Sequence, residues 1–196
     1  TTHKSSHLDE VKKATELMLS PKAVLEILKD FTVFSTEKGG QKVKVLCRYQ
    51  QYEATKQIVE RVLEGKIKKG LVWHFQGSGK SILMVYAAQL LRKEPALKSP
   101  TVLVVVDRVD LNSQIGATFN AADVPNTVVA ETREELQRLL AQDTRKIIIT
   151  TIQKFGEAEG VLNERDNIIV LVDEAHRTQE GDLGIKMRAA LPNAFL

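Results

Sequence analysis

The sequence predicts an α/β fold of three layers, in which helices cover both faces of a mainly parallel sheet. Two observations predict it. Short runs rich in Val and Ile are continuous rather than alternating, which is typical of parallel strands buried on both faces; they lie at 70–75, 101–107, 146–150 and 167–173. Helical patterns separate them, at about 80–92, 111–119 and 133–141. Strands that alternate with helices are joined by right-handed crossovers within one sheet.

A short helical segment precedes this sheet, at about 8–34. Ser20 and Pro21 suit the N-cap and first turn of a helix, and the apolar residues after them recur at the spacing i, i+3, i+4, i+7. A polar stretch with two glycines follows and marks a boundary. We expect a helical linker over 1–42 and the main domain over 43–196.

Two further helix signals lie inside the main domain. The stretch RYQQYEATKQIVERVLEG predicts a helix that ends near Gly65. The predicted helix at 133–141 follows Thr132, and Glu135 lies three residues later, which is the pattern of a capping box.

Composition excludes several classes of protein. No run of eighteen apolar residues exists, so no membrane-spanning helix is predicted. The polar N-terminus has no apolar core typical of a secretory signal. Cys47 is the single cysteine, which rules out an internal disulfide framework and fits a reducing cytoplasm. The net charge of +3 is too small to indicate a nucleic-acid partner by itself.

The stretch GSGKS, 77–81, lies between the apolar run at 70–75 and the next predicted helix. Small residues there let backbone N–H groups surround phosphate oxygens, and the N-terminus of the helix adds partial positive charge. Lys80 is placed to reach the outer phosphates of a nucleotide, and the hydroxyl of Ser81 to bind Mg²⁺. The turn is therefore predicted to bind a nucleotide, with Gly77, Ser78, Gly79, Lys80 and Ser81 as contacts.

One position departs from the usual pattern G-x-x-x-x-G-K-[ST]. His74 replaces its first glycine. We expect Gly77 and Gly79 to provide the close backbone approach. His74 then either shapes the entrance of the loop or is an ordinary packed histidine.

A second motif, IIVLVDEAHR, supplies the acidic residues that nucleotide hydrolysis needs. Asp173 ends an apolar strand, where its carboxylate is placed to hold Mg²⁺ through water. Glu174 follows it and is placed to orient or deprotonate the attacking water. Acidic residues at a strand end are common, but the four letters D-E-A-H beside a phosphate-binding turn are far more specific.

Five motifs together resemble one known family. They occur in that family's order: VWHFQGSGKS (72–81), VVVDRVDLNSQ (104–114), TTIQKF (150–155), VDEAHRTQ (172–179) and LPNAF (191–195). The chain resembles the first motor domain of superfamily 2 helicases and translocases. More narrowly, from about residue 20 to its end, it resembles the restriction (R) subunit of type I restriction endonucleases.

The resemblance implies a RecA-like P-loop NTPase fold with ATP and Mg²⁺ as cofactors. It implies ATP-driven movement along double-stranded DNA ahead of cleavage, in a cytoplasmic complex with modification (methyltransferase) and specificity subunits and without a membrane. Residues 1–40 show no nuclease motif, and the sequence stops before the family's next motif. The resemblance therefore implies that the nuclease and the second motor domain, with its arginine finger, lie elsewhere. Such an arginine contributes roughly 10³–10⁵ in rate, so we expect very slow hydrolysis by this piece alone.

The resemblance also assigns residues. RYQQYEA looks like the family's Q motif, so Gln51 would read adenine, with Gln50 as the runner-up and Tyr49 packed near the base. DRVDL looks like a motif that contacts the DNA backbone, although Asp107 and Arg108 fit a solvated strand end equally well. The remaining candidates for DNA contact or coupling are Thr150, Thr151 and His176.

Other functions are alternatives to a type I restriction motor subunit. The chain is alternatively another superfamily 2 member, such as an RNA helicase or a type III restriction subunit. A binding module that kept the fold and lost turnover belongs to a different class, and the intact Lys80, Ser81, Asp173 and Glu174 weigh against it. A kinase or transport ATPase needs no D-E-A-H motif at its acidic strand.

Overall fold

The structure is a computed structural model. It describes residues 7–36, 40–75, 77–107, 109–122, 124–142, 146–156, 160–173 and 182–196. Within these ranges the helices are α1 (His7–Met18), α2 (Pro21–Asp30), α3 (Tyr49–Glu64), α4 (Lys80–Lys93), α5 (Val109–Ala121), α6 (Arg133–Ala141) and α7 (Asp182–Ala190). The strands are β1 (Thr32–Thr36), β2 (Lys42–Leu46), β3 (Thr101–Val106), β4 (Thr127–Val129), β5 (Ile147–Thr151) and β6 (Ile168–Val172).

The main sheet has the strand order β4–β5–β3–β6, and every pair in it is parallel. In the central strand, Val102 lies opposite Ile147 of β5, and Thr101 lies opposite Ile168 of β6. Because the strands share one direction, their carboxyl ends meet at one edge of the sheet. The parallel α/β fold predicted from the sequence is confirmed.

Alternation along β3 produces the three layers. Val102 and Val104 pack on one face with Val85 of α4 and Phe119 of α5. Leu103 packs on the other face with Leu136 of α6 and with α7. Successive side chains of a strand point to opposite faces, so an unbroken apolar run is buried on both sides. All six residues of β3 are buried for this reason.

The predicted helix ends agree with the structure. The hydroxyl of Ser20 accepts a hydrogen bond from the Ala23 N–H at 3.3 Å and caps α2. The hydroxyl of Thr132 accepts from the Glu135 N–H at 3.1 Å and caps α6. Helix α3 ends at Glu64, and the next residue, Gly65, has a φ of 67°, the left-handed conformation common after a helix.

Two parts of the sequence prediction differ from the structure. The stretch at 8–34 is not wholly helical, because β1 begins at Thr32 and forms an antiparallel hairpin with β2. Residues 70–75 form no strand. Among the described residues, only Gly70 of this stretch pairs with a segment of the sheet, at Leu196, and a strand needs a partner along its length. The fourth strand of the sheet is instead the short β4, which the sequence analysis did not predict.

The β6 edge of the sheet is extended by the last residues of the sequence. Phe195 pairs in parallel with Ile169. On its other side, the Leu196 N–H donates to the Lys68 carbonyl and the Gly70 N–H donates to the Leu196 carbonyl, each at 2.8 Å. This pattern is a parallel pairing that aligns 68–70 with the sheet. Residues 68–70 therefore run in the direction of β6, toward the carboxyl edge of the sheet.

Helix α2 and the main domain share one hydrophobic core. Phe31 lies directly after α2, and its ring centroid is 4.8 Å from that of Tyr52 and 5.5 Å from that of Tyr86. The Tyr52 hydroxyl donates to the Glu26 carboxylate at 2.6 Å, and the Lys56 ammonium lies 2.9 Å from the same oxygen. These contacts attach α2 to α3. The domain boundary at 42 and 43 stays a prediction.

Within the described ranges, no helix combines the length and the apolar character that crossing a bilayer requires.

The Glu26 contact predicts a pH-dependent contribution to stability. The Tyr52 hydrogen bond, and then Lys56, lower the pKa of Glu26 despite opposing burial. A lowered pKa in the folded state stabilises the protein above the unfolded pKa of about 4.3, and this stabilisation is lost as pH falls. We expect Glu26→Gln to reduce the free energy of unfolding by about 1–2 kcal/mol at neutral pH. The difference should shrink below about pH 4, as measured by urea unfolding.

Glu16→Gln is the matched control, because the Glu16 carboxylate is exposed and lies 3.9 Å from Lys12 in a pair within α1. An exposed pair of this kind contributes little. Equal pH profiles for wild type and Glu26→Gln would contradict the assignment.

Candidate phosphate-binding site

Two glycines set the shape of the turn between residue 75 and α4. Gly77 has a φ of 80° and Gly79 a φ of 82°, both in the left-handed region that glycine adopts without strain. Between them, the Ser78 N–H donates to the Phe75 carbonyl at 3.3 Å and closes the turn. The two glycines that the sequence analysis singled out are therefore both required by the backbone.

The two glycines differ in their surroundings. A Cβ built on Gly77 meets no atom within 4 Å, whereas one built on Gly79 collides with the side-chain nitrogen of Gln51. The turn is thus open at Gly77 and closely packed at Gly79. The open space at Gly77 leaves room for a phosphate group to approach the backbone, while the packing of Gln51 against Gly79 holds the turn.

Gln51 holds the base of the turn. Its side chain is 4% exposed, and its Nε2 donates to the Ser78 carbonyl at 3.2 Å and the Gly79 carbonyl at 3.0 Å. Its Oε1 accepts from the Arg48 N–H at 2.9 Å at the start of α3. Both amide hydrogens are used here, so Gln51 positions the turn. Its role in reading adenine stays a prediction, as do those of the exposed Gln50 and the partly exposed Tyr49.

This positioning role was not predicted from the sequence. The available signal was a glutamine at the third position of a helix, where a side chain commonly reaches back to the N-cap. The partners at Ser78 and Gly79 lie 27 and 28 residues further along the chain. Nothing local to Gln51 indicates them.

Helix α4 begins at the end of the turn and supplies backbone donors. Gly79 is its N-cap, and the first helical hydrogen bond runs from the Leu83 N–H to the Gly79 carbonyl at 3.1 Å. N–H groups of a first helical turn have no acceptor within the helix, and the helix dipole adds positive charge there. Lys80 and Ser81 are in this turn, so their N–H groups suit an anion.

Two side chains of the turn are available to a ligand. The Lys80 ammonium bends back over the turn, and its Nζ lies 3.5 Å from the Phe75 carbonyl, a weak contact. Ser78 is 5% exposed, and its hydroxyl has no hydrogen-bond partner among the described residues. A buried hydroxyl without a partner is costly, and a phosphate oxygen is an acceptor that would satisfy it.

The acidic strand end lies at the same edge of the sheet. Asp173 directly follows β6, is partly exposed, and donates its N–H to the Val105 carbonyl of β3 at 2.9 Å. The parallel pairing through Phe195 and Leu196 gives residues 68–70 the direction of β6, so the chain runs from them toward this edge. Glu174, His176 and Arg108, which the sequence analysis also proposed, lie outside the described residues.

No group of three or more His, Cys, Asp or Glu side chains able to hold a metal ion occurs within the described part of the chain. Mg²⁺ is usually held by one or two carboxylates together with phosphate oxygens and water, so it does not require such a group. The roles of Asp173 and the Ser81 hydroxyl as Mg²⁺ ligands stay predictions.

Thr150 and Thr151 end β5 and are both buried. The Thr151 hydroxyl accepts a hydrogen bond from the Lys154 ammonium at 3.2 Å, whereas the Thr150 hydroxyl has no partner among the described residues. Burial lowers the pKa of Lys154, opposed by Glu131 and Glu135. Lys154 brings a positive charge close to this strand end, which the sequence analysis did not single out. The DNA-contact role of the two threonines stays a prediction.

Comparison with known proteins places the chain among ATPases. A family model described as SWI2/SNF2 ATPase matches residues 50–196. The type I restriction enzyme HindI endonuclease subunit of Haemophilus influenzae is 36% identical over 95% of this chain, which covers 20% of that protein. The putative type I restriction enzyme MjaIXP endonuclease subunit of Methanocaldococcus jannaschii is 34% identical over 87% of this chain, which covers 17% of that protein.

A third relative is the type I restriction enzyme SsaAORF53P endonuclease subunit of Staphylococcus saprophyticus. It is 26% identical over 97% of this chain, which covers 20% of that protein. The chain therefore spans about a fifth of the length of the curated relatives it matches.

The different surroundings of the two glycines predict different costs of substitution. An alanine in the left-handed region costs about 1–2 kcal/mol, so Gly77→Ala should lower the free energy of unfolding by that amount. Gly79→Ala should cost at least about 1 kcal/mol more, because its Cβ must displace the Gln51 amide. Chemical denaturation of the single variants and of Gly79→Ala combined with Gln51→Ala measures the coupling. Strictly additive costs would show that Gln51 does not hold the turn.

Proposed function

Because the chain belongs to the SWI2/SNF2 ATPase family, we propose that it is the first motor domain of a type I restriction enzyme's R subunit, which couples ATP hydrolysis to movement along DNA. The observation that carries the proposal is the turn Gly77–Ser81. It is open at Gly77, Gln51 binds its Ser78 and Gly79 carbonyls, and it follows residues 68–70, which run parallel to β6, the strand before Asp173.

The turn is proposed to bind the phosphates of ATP. Backbone N–H groups of Lys80 and Ser81 and the hydroxyl of Ser78 donate to phosphate oxygens, since the first turn of α4 and this hydroxyl are suited to an anion. The Lys80 ammonium exchanges its weak contact with the Phe75 carbonyl for a charge-assisted bond to the outer phosphates.

Ser81 and Asp173 are proposed to hold Mg²⁺, which neutralises negative charge on the phosphates when bound. Asp173 is tied to the end of β3 by its backbone N–H, so its position relative to the sheet is set by the strand ladder. The proposed general base, Glu174, comes next in the sequence and orients the attacking water.

The carboxyl edge of the sheet is also the proposed DNA side. Arg108, Thr150 and Thr151 follow or end the strands β3 and β5, and their proposed partners are phosphate groups of double-stranded DNA. His176 is proposed to couple this side to the hydrolysis site. Contacts with phosphates alone suit a motor that moves along any sequence. Support comes from relatives named as endonuclease subunits of type I restriction enzymes.

The proposed setting is a cytoplasmic complex with modification and specificity subunits. Since the chain spans about a fifth of its relatives, the nuclease and the second motor domain are proposed to lie in other parts of a longer polypeptide. Stimulation of the ATPase of that polypeptide by duplex DNA rather than by RNA separates this proposal from an RNA helicase.

Lys80→Ala tests the phosphate site. We expect ATP affinity to fall about tenfold or more, because a charge-assisted bond contributes about 1.5–3 kcal/mol. The fold should be unchanged, since within the described part of the chain the ammonium makes only a long contact with Phe75. Isothermal titration with ATP measures the affinity, and circular dichroism checks the fold. Lys69→Ala, which removes an exposed lysine from the segment before the turn, is the control. Wild-type affinity in Lys80→Ala would contradict the proposal.

Gln51→Ala separates positioning of the turn from reading of the base. If Gln51 acts by holding the turn, its loss weakens ATP, GTP and inorganic triphosphate by similar factors. If it also reads adenine, the ATP affinity falls by a larger factor than the other two. Competition binding with the three ligands measures this ratio, and Gln50→Ala, on the exposed side of α3, is the control. Affinities unchanged for all three ligands would exclude both roles.

A further inference from the structure

The hairpin of β1 and β2 has one face in the core and one face in solvent. Val33 is 3% exposed and packs with Val45 in the core that includes α4 and α5. On the outer face, the side chain of Phe34 is 54% exposed. A sheet with one solvated face normally places polar side chains there. The packing of the hairpin therefore gives no reason for an aromatic ring at this position.

Two lysines lie beside this ring. Lys42, Lys44 and Leu46 are the exposed side chains of β2, and Lys44 lies directly opposite Phe34. Within the described part of the chain, neither lysine is in an ion pair. Proteins hold single-stranded nucleic acid with this combination, because cations attract the phosphates and an aromatic ring stacks on a base.

The backbone of the hairpin keeps the ring and one lysine close together. The Cys47 N–H donates to the Phe31 carbonyl at 3.1 Å, and opposed residues of an antiparallel pair alternate between hydrogen-bonded and non-hydrogen-bonded pairs. Phe34 and Lys44 are three pairs further along, so they form a non-hydrogen-bonded pair, in which side chains are closest. The N–H and C=O groups of Phe34 consequently point away from β2.

A cleft of about 490 Å³ opens beside the ring. We call it the hairpin cleft. Its lining includes Thr32 and Phe34 of β1, Lys42 of β2, Gln89 of α4, and Asn120 and Ala121 of α5. Sites for small organic ligands have volumes of about 300–1,000 Å³, so the hairpin cleft has the size of a site for one nucleotide unit.

The inner wall of the hairpin cleft suits a base better than a phosphate. The side-chain amides of Gln89 and Asn120 each supply donors and an acceptor. Asn120 and Ala121 are in the last turn of α5, where carbonyl groups have no donor within the helix and carry partial negative charge. This charge attracts the amino groups of a base and repels a phosphate. The base therefore fits inside, with the phosphates outside on the lysines.

The hairpin cleft lies at the opposite edge of the sheet from Asp173. Helix α5 begins just after the carboxyl end of β3 and leads to the start of β4, so its last turn is at the amino edge. Asn120 belongs to that turn, and Asp173 follows the carboxyl end of β6. The proposed function uses residues at the carboxyl edge and in the glycine turn, so an inference about the hairpin cleft does not rest on it.

We propose that the hairpin binds single-stranded nucleic acid, with one unpaired base stacked on Phe34 in the hairpin cleft and the adjacent phosphates on Lys42 and Lys44. A duplex keeps its bases stacked inside the helix and presents none to the ring. A protein partner suits this face less well, because the centre of a protein interface is depleted in charge, and here a lysine lies directly opposite the ring.

Photo-crosslinking of the full-length polypeptide tests the site directly. The probes are single strands of DNA and of RNA that each carry one iodouracil, and crosslinked residues are identified by peptide mass spectrometry. We expect a crosslink at Phe34 with at least one single strand, and none with the matched duplex. Phe31, which is 1% exposed, is the internal control and should not react.

The two probes show which nucleic acid is bound, and a crosslink with either supports the proposal. No crosslink at Phe34 with either strand would overturn it, including the case in which another part of the polypeptide covers this face. Equal crosslinking by the duplex would also overturn it, because the base would then not need to be unpaired.

Competition against the Phe34 crosslink tests whether the base is bound. An unlabelled strand with bases should compete about 5- to 150-fold better than an abasic strand of the same length, since stacking on an aromatic ring contributes this factor. The two competitors have the same phosphate charge. Equal competition would show that charge alone holds the strand, and it would overturn the stacking of a base on Phe34.

Lys44→Ala tests the phosphate contact in the same assay. Half-saturation of the Phe34 crosslink should need a higher probe concentration, and the slope of log affinity against log salt should fall in magnitude by about 0.7 for one lost contact. Lys12→Ala is the matched control, because it removes an exposed lysine from α1. An unchanged salt slope in Lys44→Ala would overturn the assignment of Lys44 to a phosphate.

Discussion

Strand β3 is the constraint on which the rest of this structure depends. It is hydrogen-bonded in parallel on both sides, to β5 and β6, and packed on both faces. Side chains in the middle of such a strand are apolar because both faces are buried. Polar side chains therefore lie at or beyond its ends. Asp107, Thr151 and Asp173 reach one edge for this reason, since each ends or directly follows a strand of the same ladder.

The phosphate-binding turn is held from a different part of the chain. Helix α3 reaches it through Gln51, and one residue later Tyr52 of the same helix binds Glu26 of α2. The turn is therefore connected to the N-terminal helices through two adjacent side chains. These contacts link α2 to the carbonyls of Ser78 and Gly79 through one helix.

Features encoded locally were predictable from the sequence, and features that depend on distant partners were not. Helix α6 has its cap, its first-turn acids and its apolar stripe within ten residues, so its bounds agree with the prediction. The left-handed turns at Gly77 and Gly79 follow from the motif itself. In contrast, β4 has only three residues and becomes a strand because β5 lies beside it.

The run at 70–75 shows the same limit, because here a strand was predicted and the structure has none. Its composition is that of a buried strand, and composition alone cannot provide the neighbour that makes it one. Gln51 was identified as a binding residue from its motif, but its hydrogen bonds to the turn depend on how α3 packs. At the site, the sequence therefore identified which residue types matter, while the packing decided what each of them touches.

Trp73 is the single tryptophan of the chain, and it stands almost fully in solvent four residues before Gly77. The three tyrosines are all in helices α3 and α4, and two of them are buried in the core. The intrinsic fluorescence of this chain on excitation of indole thus comes from one position beside the turn. Its emission maximum and its quenching by soluble ions report the solvation of that one place, so the molecule carries its own optical probe.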